Sequence, residues 1–240
     1  MKLTLVIPVY NEANRVGKAI TAINNYKSSS DVTIDVIFVD DGSTDNTVAT
    51  IKSLSSTFPY QIISYIPNQG KGYALKQGIL KASGDYILFL DADMSTPITE
   101  LNLFLPEMCK NTSIIIGSRK TLGASVLKHQ SFWRQKLGEG FTLMSSIILG
   151  LSVTDFTCGF KAFRGDAAKK IFGVQRIKRW GFDSEILFLA QKFGYAVKEI
   201  PVSWTNDERT KVNLSKDVWQ SASDLIHIRW NDISGKYLIC

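Results

Sequence analysis

The chain has 240 residues, of which 45% are hydrophobic and 21% charged. That excludes a disordered or collagen-like polymer and leaves room for one large domain with a sizeable core. The net charge of +6 is uneven: residues 1–118 carry 9 basic and 11 acidic side chains, residues 119–240 carry 19 and 11. A basic second half implies an anionic partner there (phosphate, nucleic acid or a membrane surface) or a solvated basic surface.

Residues 3–9 form an unbroken, β-branched apolar run ended by polar residues, the pattern of a buried strand. Residues 12–26 place Val16, Ala19, Ile20 and Ile23 at helical spacing. The alternation repeats: strand 35–39, helix 44–54, strand 61–66, helix 72–82, strand 86–90, helix 97–109 with Pro97 near its first turn, strand 113–117. Strands alternating with helices predict an α/β fold, a mostly parallel sheet with helices on both faces. In such sheets ligands sit beyond the C-terminal strand ends.

The second half differs in texture. It holds Trp133, Trp180, Trp204, Trp219 and Trp230, all the tryptophans of the chain. Residues 132–151 carry Trp133, Leu137, Phe141, Met144, Ile148 and Leu151 at helical spacing, and residues 218–230 carry Trp219, Ala222, Leu225, Ile226 and Trp230. These are core helices, or amphipathic helices lying in a membrane interface. No uncharged apolar run is long enough for a spanning helix, and the N-terminus lacks a signal-peptide pattern. Cys109, Cys158 and Cys240 show neither a disulfide framework nor zinc spacing. The expectation is a single domain over 1–240, with a soft boundary near residue 120, that meets a membrane only from its surface.

The chemistry lies just past the strands. Pro8-Val9-Tyr10-Asn11-Glu12 follows the first, Asp40-Asp41-Gly42-Ser43-Thr44-Asp45 the second, Asn68-Gln69-Gly70-Lys71-Gly72 the third, Asp91-Ala92-Asp93 the fourth and Gly117-Ser118-Arg119 the fifth. Asp91 and Asp93 lie two apart, so an extended segment puts both carboxylates on one side. They make a hard-oxygen site for Mg²⁺ or Mn²⁺, with water and phosphate oxygens completing the shell; alternatively they form an Asx-turn and helix cap before Pro97. Asp40 and Asp41 at a neighbouring strand end strengthen the metal reading, because a cation relieves crowded carboxylates. Gly70-Lys71-Gly72 opens a helix, where N–H groups and a lysine favour an anion; by itself it is equally an ordinary loop with a solvated lysine. The spacing matches neither a P-loop nor a dinucleotide fingerprint.

Together these motifs resemble glycosyltransferase family 2, the inverting nucleotide-sugar transferases of the GT-A fold. The likeness is carried by Val6-Ile7-Pro8-Val9-Tyr10-Asn11-Glu12, Val39 to Asp45, Asn68 to Gly72 and Asp91-Ala92-Asp93, in family order. Asp155-Phe156-Thr157-Cys158-Gly159-Phe160-Lys161, Arg179-Trp180-Gly181-Phe182-Asp183-Ser184-Glu185 and Pro201-Val202-Ser203-Trp204 are similar to polyprenyl-phosphate sugar synthases, above all the dolichyl-phosphate glucosyltransferase branch.

The resemblance implies roles. Pro8, Tyr10, Glu12 and Asp41 would line the pocket for base and ribose. Asp91 and Asp93 would hold the metal on the diphosphate. Arg119 and Arg134 would face a lipid phosphate, and Asp183 and Glu185 would sit near the sugar. The substrate-binding set also takes in Asp40, Lys71, Asp155, Lys161 and Trp180. Residues 1–118 would bind the nucleotide sugar, and 119–240 the acceptor and the membrane surface.

Charge gives a mechanism. Cleaving the bond from C1 to a nucleoside diphosphate leaves negative charge on the phosphate, which a divalent ion neutralises. A hydroxyl acceptor needs a general base, Asp183 or Asp155. A phosphate acceptor needs none, only cations to hold it. What the resemblance implies, in agreement with this charge argument, is metal-dependent, inverting transfer of a hexose from UDP-glucose, or second from GDP-mannose, to polyprenyl phosphate. It would take place at the cytoplasmic face of a membrane, with peripheral contact to an anionic surface. Alternatives are a family 2 enzyme acting on a saccharide hydroxyl and a non-catalytic binding module. Nucleic acid is not an expected partner, since the acidic sheet edge would repel it.

Overall fold

A computed structural model describes residues 1–29, 32–54, 58–128, 130–207 and 214–238. The first half is laid down as alternating strands and helices: β1 (Lys2–Val9), α1 (Val16–Ser28), β2 (Thr33–Asp40), α2 (Thr47–Leu54), β3 (Tyr60–Ser64), α3 (Lys71–Lys81), β4 (Tyr86–Leu90), a 3-10 turn (Ile98–Glu100) running into α4 (Leu101–Cys109), and β5 (Ile114–Ser118). The second half adds β6 (Ser125–Lys128), α5 (Phe132–Leu149), β7 (Phe160–Arg164), α6 (Gly165–Val174), α7 (Phe182–Lys192), β8 (Val197–Pro201), β9 (Ser203–Thr205) and α8 (Leu214–Ile233).

The main sheet has seven strands in the order β3-β2-β1-β4-β7-β5-β8. All neighbours run parallel except β7, which is antiparallel to both β4 and β5. Strand alternation divides the core. Leu3, Leu5, Ile7 and Val9 face one layer with α1 and α4 residues such as Ile20, Ile23, Leu101 and Phe104. Val6, Ile37, Val39 and Phe89 face the other, with α3, α6 and α7 residues such as Leu75, Ile79, Phe172 and Ile186. The parallel strands β1, β2, β4 and β5 therefore read as continuous apolar runs.

Three expected helices start late, each for a local reason. Residues 12–15 form a turn, with the Glu12 carbonyl accepting from Arg15 N at 2.8 Å and Val16 N at 2.9 Å. Asp45 Oδ1 accepts from Thr47 N at 2.9 Å, holding the chain ahead of α2 in a capping turn. The 97–109 helix opens with a 3-10 turn after Pro97. The sequence marks no element over residues 152–217; among the described residues β7, α6, α7, β8, β9 and the first turn of α8 lie there.

α5 and α8 pack on one another, with Arg229 Nε donating to the Ile148 carbonyl at 2.7 Å. Each has a buried and an exposed apolar side. Leu149, Leu225 and Ile228 are buried, whereas Trp219, Ile226, Trp230 and Ile233 are 79%, 65%, 62% and 79% exposed. Their spacing of 7, 4 and 3 residues puts those four on one stripe of α8. Phe132, Leu143 and Ile147 are likewise exposed on α5. Among the described residues, no helix is long and apolar enough to cross a membrane.

Candidate active site

The C-terminal ends of β1, β2, β4 and β5 converge on a cavity of about 550 Å³. Its wall includes Pro8, Tyr10 and Glu12 after β1, Asp41 after β2, Lys71 at the start of α3, Asp91 and Asp93 after β4, and Arg119 after β5. The second half contributes Trp180, Asp183 and Trp204, and α5 adds Leu137 and Phe141. Asn11 and Met94 border this edge with positive φ, 51° and 54°. Non-glycine residues held in that region sit where surrounding structure imposes the turn.

Asp91 and Asp93 share the rim. Ser95 N donates to Asp93 Oδ1 at 2.9 Å, so the Asx-turn forms and occupies one of that residue's oxygens. Burial pushes the Asp93 carboxyl above its usual range, and the Asp91 charge adds to it. Lys71 Nζ lies 2.5 Å from Asp91 Oδ1. Burial disfavours the Lys71 ammonium, but Asp91 and Asp183 outweigh that and hold its pKa above the ordinary value. The donor chemistry suits a divalent cation, since two carboxylates line one rim, and the Asp91 carboxylate packs against the bare backbone of Gly159. A Cβ built on Gly159 would meet Asp91 Oδ2 at 2.0 Å. The register explains the closeness, since Leu90 pairs with Phe160 across β4 and β7. Among the described residues, no group of three His, Cys, Asp or Glu side chains is arranged to hold a metal. Water and phosphate oxygens would therefore complete the shell.

The glycines of the 70–72 loop serve protein packing. A Cβ on Gly70 would lie 2.6 Å from the Lys178 carbonyl, and one on Gly72 2.6 Å from the Ile177 carbonyl. Gly70 itself has φ +107°. Gly70 N and Gln69 N donate to Asp41 at 2.8 Å each, and Asn68 Nδ2 donates at 2.7 Å. Tyr73 N donates to the Lys178 carbonyl at 3.0 Å. These helix-entry N–H groups are thus spent within the protein.

Arg119 is held as a planar fork. Nε and Nη2 donate to Asp155 at 2.7 Å each, Nη2 also donates to Thr157 Oγ1 at 2.8 Å, and the guanidinium lies 5.3 Å from the Trp204 ring centre. Burial alone would raise the Asp155 carboxyl, but Arg119 outweighs it and holds the pKa at about 2. Among the described residues, Nη1 has no hydrogen-bond partner, and Arg119 lines the cavity.

Four of the expected site residues sit one layer behind the wall. Asp40 Oδ1 accepts from Ser43 N at 2.9 Å in the turn after β2. Asp155 positions Arg119 as described. Lys161, fully buried in β7, donates to the Phe156 and Cys158 carbonyls at 2.9 and 2.7 Å and to Asp183. Glu185 accepts from Arg176 N, Ile177 N and the Tyr237 hydroxyl at 2.9, 2.8 and 2.6 Å, pinning the 175–177 loop. The Arg134 side chain lies outside the described residues. Arg15 and Gly159 were not singled out in the sequence. Arg15 joins Glu12 through a short bidentate contact and lines the cavity. Gly159 gave no signal, because its role depends on pairing with a distant strand.

Residues 4–172 match the model of Glycosyl transferase family 2. The chain belongs to glycosyltransferase family 2. It is 34% identical over 250 residues to a dolichyl-phosphate beta-glucosyltransferase of Dictyostelium discoideum, covering 99% of this chain and 76% of that protein. A Saccharomyces cerevisiae protein of the same name is also 34% identical, over 254 residues, covering 98% and 76%. Among solved structures, glucosyl-3-phosphoglycerate synthase from Mycobacterium tuberculosis with Mn²⁺ and UDP-glucose superposes with a TM-score of 0.71. It is 16% identical and covers 95% of this chain and 78% of that one. Mannosyl-3-phosphoglycerate synthase from Rubrobacter xylanophilus gives a TM-score of 0.70 at 15% identity, covering 98% and 75%. At those identities the likeness establishes the GT-A fold of this glycosyltransferase.

Proposed function

We propose that the enzyme transfers glucose from UDP-glucose to a polyprenyl phosphate, inverting the anomeric carbon, with a divalent ion held by Asp91 and Asp93. The observation that carries this reading is the mixed lining of the cavity. One cavity is lined by the acidic pair Asp91 and Asp93, by Arg119, and by the apolar side chains of Leu137 and Phe141. The relatives named dolichyl-phosphate beta-glucosyltransferase support glucose as the sugar and a lipid phosphate as the acceptor. GDP-mannose remains the second donor to test.

The roles divide between the halves. Pro8, Tyr10, Glu12 and Asp41 form the end that takes the base and ribose. Mg²⁺ or Mn²⁺, when bound, neutralises the departing diphosphate and orients it. Arg119, steadied by Asp155 and Trp204, offers two N–H groups to the acceptor phosphate, whose oxygen attacks C1 from the face opposite the diphosphate. Asp155, bound bidentately and held at about 2, is a poor proton acceptor at neutral pH. Lys161 engages one oxygen of Asp183. An oxyanion acceptor needs no base, which agrees with both arrangements.

The exposed stripe of α8 and the outer face of α5 would rest on the cytoplasmic face of a membrane. Leu137 and Phe141 of α5 continue that face into the cavity, and the excess of basic residues in the second half favours an anionic surface. The test is incubation with a panel of nucleotide sugars, polyprenyl phosphate and Mn²⁺, read by product mass. A hexosylated polyprenyl phosphate formed from UDP-glucose is expected. Product found only on a saccharide hydroxyl, or nucleotide binding without sugar release, would overturn the proposal.

A further inference from the structure

We infer that Lys76, Arg176 and Lys178, together with Tyr73, form a second binding site for a phosphate-type anion, apart from the catalytic cavity. The cleft holds about 240 Å³ and is lined by Tyr73, Lys76, Gln175, Arg176 and Lys178. It brings three cations together with no carboxylate in its wall. Each cation is bound only to neutral acceptors. Lys76 Nζ donates to the Gln175 and Gly173 carbonyls at 2.6 and 3.2 Å. Arg176 Nη2 and Nε donate to the Lys236 carbonyl at 3.0 and 3.2 Å. Lys178 Nζ donates to Gln69 Oε1 at 3.0 Å and lies 5.4 Å from the Tyr73 ring centre.

The cavity-lining Arg119 and Lys71 and the buried Lys161 are by contrast matched by acids, Asp155, Asp91 and Asp183. Here the nearby carboxylate, Glu185, is already saturated by two backbone N–H groups and the Tyr237 hydroxyl. Burial pulls the Lys76 ammonium below its usual pKa; Glu185 opposes this and Arg176 adds to it. A bound oxyanion would reverse that balance. With the Nε/Nη2 edge of Arg176 on the Lys236 carbonyl, its Nη1 side and two ammonium groups suit a tetrahedral phosphate.

Its position gives the site consequences. One wall is the loop 175–178, whose continuation, Arg179 and Trp180, lines the catalytic cavity. The other wall is α3, which begins at Lys71. Arg176 also reaches Lys236, beyond the end of α8, where Ile233 and Leu238 are exposed. The anion is therefore free phosphate or the phosphate of a lipid headgroup at the border of the apolar stripe.

The test compares wild type with Arg176→Gln/Lys178→Gln, two exposed positions outside the catalytic cavity, with thermal midpoints as the folding check. Inorganic phosphate binding is measured by calorimetry without nucleotide. Flotation is measured with vesicles of phosphatidylcholine, alone or mixed with phosphatidylglycerol. Arg119→Gln reports phosphate bound in the catalytic cavity. For a free-anion site, phosphate affinity falls about tenfold or more in the double variant, as expected for lost charge-assisted hydrogen bonds. For a headgroup site, the phosphatidylglycerol-dependent part of flotation falls instead, and the part due to the α8 tryptophans remains. If neither changes, or if only Arg119→Gln loses phosphate, the second site does not exist. Failure of the glucosyltransfer reading would leave these results unaffected.

Discussion

Gly159→Ala tests the geometry of the acidic rim with one methyl group. The new Cβ would stand 2.0 Å from Asp91 Oδ2 and 2.6 Å from its Cγ, where real contacts do not fall below 3.0 Å. The carboxylate must therefore retreat by at least 1 Å. It can do so cheaply, because the Asp91 side chain is 35% exposed and Gly159 needs no left-handed backbone. The fold should lose less than about 1 kcal/mol, in the range of a tolerated surface change. A displacement of about 1 Å in a positioned reacting group costs roughly a hundredfold in rate, close to 3 kcal/mol on the barrier. Initial rates with UDP-glucose and polyprenyl phosphate, together with Mn²⁺ affinity measured without substrate, read the effect. A hundredfold loss of rate and weakened Mn²⁺ binding at an unchanged thermal midpoint are expected. An Ala variant within threefold of wild type on both would refute a working role for Asp91 at this rim.

Asp155 titrates near 2 in the folded chain against roughly 3.9 unfolded, so its pairing with Arg119 stabilises the enzyme fully above about pH 4 and that part is lost as pH falls toward 2. The contribution is about 2 kcal/mol, and Asp155→Asn should flatten the acid limb of a urea-denaturation profile; an unchanged limb would contradict the pairing. Asp183→Asn leaves Lys161 buried with two carbonyls and no counter-charge, which should cost about 3–5 kcal/mol. Lys161→Met/Asp183→Leu should cost less than the sum of its single variants by more than 1 kcal/mol, whereas additive losses in denaturation would show the two groups to be independent. Trp219→Ala and Trp230→Ala should leave stability within about 0.5 kcal/mol, since both side chains are exposed. Each should weaken vesicle binding by about tenfold or more, because roughly 1.5–3 kcal/mol of apolar burial is removed. Unchanged flotation would leave the stripe without a membrane role.

Much of the first half was legible because its signals are local. β1, β2, β4 and β5 are buried on both faces and so read as unbroken apolar runs. Parallel pairing then puts the residues after each strand on one edge, and ten of the expected site residues line one cavity. β7 was not legible. Its segment Phe160–Arg164 carries Lys161 as its second residue and ends on Arg164, which breaks the apolar run. That lysine is buried only because Asp183 and two carbonyls, none in the same strand, surround its ammonium.

The same limit governs the roles. Glu185 and Asp155 look like site carboxylates in the sequence, yet their hydrogen bonds hold a loop and an arginine in place. The 70–72 loop allowed two readings, an anion-favouring helix start or an ordinary loop, and the close approach its glycines permit is to the 177–178 backbone. Whether α5 and α8 are core helices or surface helices had no single answer in the sequence, because each buries one side and exposes the other.

The most direct measurement is the position of manganese in a crystal of the enzyme with UDP-glucose, located by its anomalous scattering. The ion should lie between the Asp91 and Asp93 carboxylates and the two phosphates of the donor, with Lys71 turned from its contact with Asp91. A donor diphosphate bound away from those aspartates, with the ion elsewhere or absent, would contradict the assignment of the sheet rim as the place where the pyrophosphate departs.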